Sequence, residues 1–276
     1  MSAAAFWDIL KESAVITLVV TALMLAIEAF NYLLKGRLLE GLRHTRFGQI
    51  LASGLLGAIP GCAGGYVGVS MYARGMFSFG ALLAMMVATT GDEAFLMLAL
   101  FPKRALLLFA ALLLLGIAAG WVVDALSRRK RGDARYIEDL NRTPAHGESD
   151  TLKARLLHIL PHALRVFLWT FGVLLLVGFL QQHVDLGAWI QAHPAFSIGI
   201  GILVGLIPQS GPHMAFVTLF ADGLLPLPVL VANCIVQEGH AGLPLLSESR
   251  SAWLRAKLVK VVLAAIASAI LTLAGL

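Results

Sequence analysis

The sequence predicts an all-α integral membrane protein of two inverted-topology repeats, each carrying a re-entrant or broken helical hairpin. Three observations predict it. Charged residues make up 13% of the chain and hydrophobic ones 59%, whereas soluble domains carry roughly 25% charged residues. Such a chain cannot cover a water-facing surface. Several apolar stretches have the length of about twenty residues that crosses roughly 30 Å of hydrocarbon; 14–34, 77–100, 104–126, 156–180 and 252–276 are the clearest. Residues 53–102 align over 201–250 without a gap, at a constant offset of 148.

In chain order, residues 1–12 lack the basic region and small-residue cleavage site of a signal peptide, so the first apolar segment is expected to stay as a membrane helix. The repeat then sets the frame. Gly57, Ile59 and Pro60 fall on Gly205, Ile207 and Pro208; Gly75 and Gly91 fall on Gly223 and Gly239. Shared leucines mean little in apolar sequence, but a Gly-x-Ile-Pro group and two later glycines in fixed register mean more. The predicted division is a first membrane repeat over 1–126, a charged linker over 127–155 and a second, inverted repeat over 156–276.

Inversion follows from the basic residues, which collect in cytoplasmic loops. Lys35, Arg37, Arg43 and Arg46 follow the first span, and Arg128-Arg129-Lys130-Arg131 opens the linker. The counterpart of the first loop, 181–194, carries a single charged residue, Asp185. Arg250, Arg255 and Lys257 are cytoplasmic in the same scheme, with Lys103 and Arg104 as a mild exception. The net charge of +5 reads as this topological signal, not as a nucleic-acid surface. The two cysteines, Cys62 and Cys234, lie in apolar sequence and build no disulfide framework.

The segments around Pro60 and Pro208 are too interrupted for ordinary spans, since proline removes a helix donor and clashes with the preceding turn. Unwound backbone at membrane depth needs protein or a wet cavity around it. Re-entrant hairpins are therefore predicted over 48–74 and 196–222, with Gly57, Pro60, Gly205 and Pro208 as hinges. A second pair of interruptions lies at Thr89-Thr90-Gly91-Asp92-Glu93 and Gln237-Glu238-Gly239-His240. Paired breaks in two inverted halves point to a transporter's midplane site.

Ionisable groups inside apolar sequence need partners or a water-filled cavity, which makes Asp92 and Glu93 the leading candidates for cation ligation or proton relay. The competing reading is a helix cap after Gly91. Glu238 and His240 hold the matching place in the second half. The tips add Gly61 and Cys62, then Gln209 and Ser210; a thiol suits soft metals, and a buried cysteine is equally a small hydrophobe. Thr89, Thr90 and Gln237 could supply oxygen ligands. Glu28 and Asn31 share a face of the first helix, and snorkelling explains Glu28 as well. Asp92, Glu93, Glu238, His240 and Cys62 form the candidate metal set. His158 with His162, and His213, are weaker metal candidates, while Cys234 reads as core.

The motifs Gly57-Ala58-Ile59-Pro60-Gly61-Cys62, Ala88-Thr89-Thr90-Gly91-Asp92-Glu93 and Gly205-Leu206-Ile207-Pro208-Gln209-Ser210 resemble one family. It is that of the putative ten-transmembrane heavy-metal exporters, also labelled arsenic-efflux or putative manganese transport proteins. The resemblance covers most of both halves outside the linker. It implies a transporter of the bacterial cytoplasmic membrane with a metal or metalloid ion as cargo, protons as a candidate coupling ion and no cofactor; a homodimer is left open. Ser210 stands where that family's pattern has a second tip cysteine, which weakens a thiolate-bound arsenic site.

The sign of the cargo stays open at this point. Half-helices starting near Cys62 and Ser210 would aim positive dipole ends at the site and favour an anion, whereas the nearby acids favour a cation; a divalent cation is slightly preferred. No Walker A sequence is present. Two alternatives remain. One is a carrier of a small organic or anionic solute. The other is a lipid-diphosphate phosphatase using Ser210, Glu238 and His240 as nucleophile, acid and base.

Overall fold

The computed structural model describes residues 6–11, 13–18, 21–22, 46–61, 63–73, 75–126, 163–164, 167–168, 171–176, 179, 186–208 and 210–275. Glu28, Asn31, Cys62, Gln209, His158, His162, the linker 127–155 and most of the apolar segments 14–34 and 156–180 lie outside them, as does the side chain of His240. Among the described residues every regular element is helical. The first group runs α1 (Arg46–Ala58), α2 (Ala63–Ala73), α3 (Phe79–Ala88), α4 (Glu93–Leu100) and α5 (Pro102–Leu126). After the short α6 (Leu186–Ala192), the second runs α7 (Pro194–Gly205), α8 (Gly211–Ala221), α9 (Leu227–Val236), a 3₁₀ turn at Gly239–Ala241, α10 (Gly242–Glu248) and α11 (Arg250–Leu273).

Equivalent sequence positions produce equivalent local structure. Helix α2 begins and ends where α8 does once the offset is applied, and α3 does the same with α9. After α2, the amides of Met76 and Phe77 both bond the carbonyl of Met71; after α8, those of Leu224 and Leu225 both bond Leu219. Helices α3 and α9 stop for the same reason, with Thr89 and Gln237 both extended at their C-caps. Two residues later Gly91 (φ +59°) and Gly239 (φ +55°) take the left-handed conformation. A side chain there would cost about 1–2 kcal/mol, so glycine makes each break.

Length explains the architecture. Helices α1, α2, α3, α7, α8 and α9 have ten to thirteen residues, or about 15–20 Å at 1.5 Å per residue. None of these crosses a bilayer alone. Three apolar stretches among the described residues are long enough: Phe79–Leu100 through its break, Pro102–Leu126 and Arg250–Leu273. The first is 94% buried, against 33% and 28% for the other two. Phe79–Leu100 is therefore the central element, and α5 and α11 are peripheral. Leu107, Leu114 and Leu126 of α5, and Leu258, Val262, Ile266 and Ile270 of α11, turn large apolar side chains outward, as a lipid-facing surface requires.

Small residues let the backbones approach, the main route to helix packing where no water drives burial. Gly116 and Gly120 of α5 lie against the carbonyls of Ala84 and Gly80 on α3. At the matching place in the second half, Ser268 Oγ donates to Pro228 O at 3.0 Å. Gly57 of α1 meets Met85 of α3 so closely that a Cβ would sit 2.3 Å from the Met85 carbonyl oxygen. The start of α3 is capped twice. Ser78 Oγ accepts from Ala81 N and donates to the Asp124 carboxylate of α5, which also takes the Gly80 amide at 2.8 Å.

Candidate functional site

The two breaks cross each other. Gln237 Nε2 donates to Thr89 O at 3.1 Å, and these are equivalent positions, 148 residues apart. The Gln237 side-chain oxygen takes the Gly239 amide at 2.8 Å. A Cβ built on Gly91 would lie 3.4 Å from Gly239 Cα, 3.1 Å from Glu93 Oε2 and 3.7 Å from Gln237 Oε1. So Gly91, its counterpart Gly239, Gln237 and the Glu93 carboxylate meet at one point.

Both hairpins reach this crossing. The Gly61 amide, at the turn between α1 and α2, donates to Gly91 O at 3.0 Å. Ser210, opening α8, donates its hydroxyl to Asp92 Oδ2 at 3.2 Å. Gly65 of α2 packs on Ala241, and Pro208 lies beside Gly242 and the Glu238 carboxylate. Thr89, Thr90, Asp92, Glu93, Ser210, Gln237 and Glu238 are all buried. The structure thus joins residues from both halves that the sequence assigned separately. The hinge candidates Gly57 and Gly205 sit at matching contacts, Gly57 on Met85 and Gly205 on Val236 and Asn233.

The two halves hold their acids differently. Glu93 is buried, and among the described residues neither of its carboxylate oxygens has a hydrogen-bond partner. That is a costly arrangement for a charged group, and it marks a place where an ion or proton is wanted. Glu238 faces two lysines of α11, with Lys257 Nζ at 3.1 Å and Lys260 Nζ at 3.6 Å. The attraction is charge to charge, because among the described residues neither Glu238 oxygen receives an aligned hydrogen bond.

The lysine protons go instead to backbone carbonyls. Lys257 donates to Gly205 O and Val236 O, each at 3.1 Å, and Lys260 to Met86 O and Gln237 O, each at 2.7 Å. Both lysines are buried, at 2% and 0% exposure. This corrects the sequence expectation, which placed Lys257 in the cytoplasmic charge cluster with Arg250 and Arg255 and gave Lys260 no role. A signal was present: the two lysines stand at i and i+3 on one face of an apolar stretch. An ionisable residue there is a functional candidate by default.

The remaining candidates are supporting. His213 is buried, with Nε2 3.1 Å from Ile207 O, next to the second hairpin's turn. Cys234 is buried among apolar neighbours, as expected of a core residue. Among the described residues no three His, Cys, Asp or Glu side chains gather into a ready-made metal cage. Oxygen groups come together in two places, the Ser210 hydroxyl on the Asp92 carboxylate and the Glu93 carboxylate with the Gln237 amide oxygen around Gly91. Carboxylate and carbonyl oxygens suit hard cations such as manganese better than soft ones.

A family described as putative 10TM heavy-metal exporters matches the chain over residues 3–183 and again over 166–273. The chain belongs to that family. Neither a search of curated proteins nor one of solved structures finds a match. Membership of an exporter family implies a membrane transporter rather than an enzyme, with a heavy-metal ion as its class of substrate.

Proposed function

We propose that this chain is a secondary transporter of the bacterial cytoplasmic membrane that exports a heavy-metal or metalloid ion, with a divalent cation such as manganese preferred. The observation that carries the proposal is the buried Glu93 carboxylate at the crossing of two broken helices, which has no hydrogen-bond partner among the described residues. Asp92, Glu93, Ser210 and Gln237 would supply oxygen to the cargo, with Thr89 and Thr90 lending backbone or hydroxyl oxygens. Cys62 and Gln209 would join from the hairpin turns, and His240 from the second break. Because a lone carboxylate is costly as a buried anion, cargo arrival and proton departure would exchange at Glu93.

The proposed motion is alternating access between two inverted repeats, the hairpins moving about Gly57, Pro60, Gly205 and Pro208 while the crossing stays at the midplane. Matching helix boundaries and paired left-handed glycines support the repeat reading. Charge placement supports a cation over an anion: among the described residues the ammonium groups at the site, Lys257 and Lys260, already face Glu238 and four carbonyls. The same ion pairs engage the acid that a phosphatase mechanism would require.

The test is the elemental content of cells expressing the protein or the Asp92→Asn/Glu93→Gln double variant, challenged with manganese, zinc, cobalt and arsenite. A lower content of one element with the intact protein only is expected, with both proteins equally abundant in the membrane. Equal export by the double variant would remove the site from the proposal. No change for any element would remove the cargo class and favour an organic solute.

A further inference from the structure

Lys260 and Lys257 do more than neutralise Glu238. Each ammonium lies among three oxygens, two backbone carbonyls and one carboxylate oxygen. The carbonyls belong to helix ends. Gly205 closes α7, Val236 closes α9, Gln237 is the C-cap of α9, and Met86 lies in the last turn of α3. The last carbonyls of a helix have no partner within it and carry the negative end of its dipole. In carriers built from discontinuous helices, such unwound carbonyls and half-helix ends are where a freely bound cation is held.

Here a covalently attached ammonium takes that place. Lys260 in addition spans the two halves, since Met86 belongs to the first broken helix and Gln237 to the second. The corresponding positions of α5, Phe109 and Leu112, carry no charge. The two halves are therefore unequal. The second has two ammonium groups built into the chain at these helix ends, whereas among the described residues no ammonium faces Glu93.

We infer that Lys260, backed by Lys257, is a tethered cation of the transport site, a positioning residue that holds both broken-helix ends where other carriers need a bound alkali ion. The inference rests on the transporter reading for its role in export, but the site itself is testable without transport. It follows that export proceeds with neither sodium nor potassium present. It also follows that removing the Lys260 side chain opens an oxygen-lined site for a small primary ammonium ion.

The experiment uses full-length protein and its Lys260→Ala variant, purified and reconstituted into vesicles. n-Propylammonium, which replaces the deleted atoms, is supplied throughout; tetramethylammonium, which has the charge but no N–H, is the comparison. The wild type is expected to export metal equally when N-methylglucamine replaces all sodium and potassium. Lys260→Ala is expected to lose about a hundredfold in rate, the scale of breaking a buried charge pair. n-Propylammonium should restore a substantial part of that loss and raise the variant's melting temperature, with no effect on the wild type. Tetramethylammonium should do neither.

A strict sodium or potassium requirement of the wild type would overturn the inference, and this arm holds even if the variant fails to accumulate. So would a variant that exports at the wild-type rate, or one that n-propylammonium neither restores nor stabilises. If the wild type moves no metal while n-propylammonium still selectively stabilises the variant, the transporter reading fails and the tethered-cation site stands.

Discussion

Replacing Gln237 should loosen the crossing of the two broken helices. Its side chain makes two buried bonds, donating to Thr89 O at 3.1 Å and accepting from Gly239 N at 2.8 Å. Gln237→Ala leaves one acceptor and one donor without partners, at about 1–3 kcal/mol each. The loss is therefore about 2–6 kcal/mol if the space stays dry, and falls toward about 1 kcal/mol if ordered water bridges the two groups. A chain of this size loses roughly 2–4 °C of melting temperature per kcal/mol, so a fall of about 4–24 °C is expected in detergent for a dry site and of about 2–4 °C for a water-bridged one. Gln237→Glu is the sharper variant. It keeps the acceptor for Gly239 but sets a carboxylate oxygen against the Thr89 carbonyl, adding repulsion to a buried charge. Export by Gln237→Glu should fall at least as far as by Gln237→Ala. Scanning fluorimetry and metal efflux measure the two effects. Wild-type melting and wild-type export in both variants would refute the reasoning, because the crossing would then carry no energy.

Two further outcomes follow from neighbouring positions. Glu93→Gln replaces a buried carboxyl that has no hydrogen-bond partner among the described residues with an amide of nearly the same shape, so the melting temperature should stay level or rise while export is lost; a clearly lower melting temperature would reveal a partner for the carboxyl. Gly57→Ala would set a Cβ 2.3 Å from a main-chain oxygen. Rigid backbone cannot yield there as a flexible side chain would, so little folded protein should accumulate in the membrane by fluorescence size exclusion, whereas Gly172→Ala, with open space around it, should accumulate normally.

Much of this arrangement is legible in the amino-acid order because its causes are local. An apolar run, a proline, or a glycine that must turn left-handed leaves its mark within a few residues. The breaks at Thr89–Asp92 and Gln237–His240 are visible for that reason, as is the constant offset of 148 between the segments that carry them. The lysine cluster was hidden because its causes are distant. Lys260 is 174 residues from Met86, whose carbonyl it meets. Near the end of an apolar stretch, a lysine that snorkels to the interface reads the same as one that turns inward. The offset identifies Thr89 and Gln237 as counterparts, but nothing in it says that counterparts touch. That contact requires the two halves to pack face to face at their breaks. Ser78 and Asp124, joined across 46 residues, leave no local mark for the same reason.

The buried lysines also bear on how the chain is made. Helix α11 must enter the bilayer with Lys257 and Lys260 in its first half, and each charge costs about 2.5–3.5 kcal/mol near a helix centre on insertion scales. Glu238 and the carbonyls that offset this cost precede α11 in the chain, Glu238 nearest at twelve residues before Arg250, so they leave the translocon first. Biogenesis is then sequential: α11 settles in lipid against partners already delivered. A ribosome that stopped before Arg250 would release a chain with Glu238 and those helix ends uncovered. Quality-control proteases would meet that truncated product as an unfinished membrane protein, not as a smaller working one.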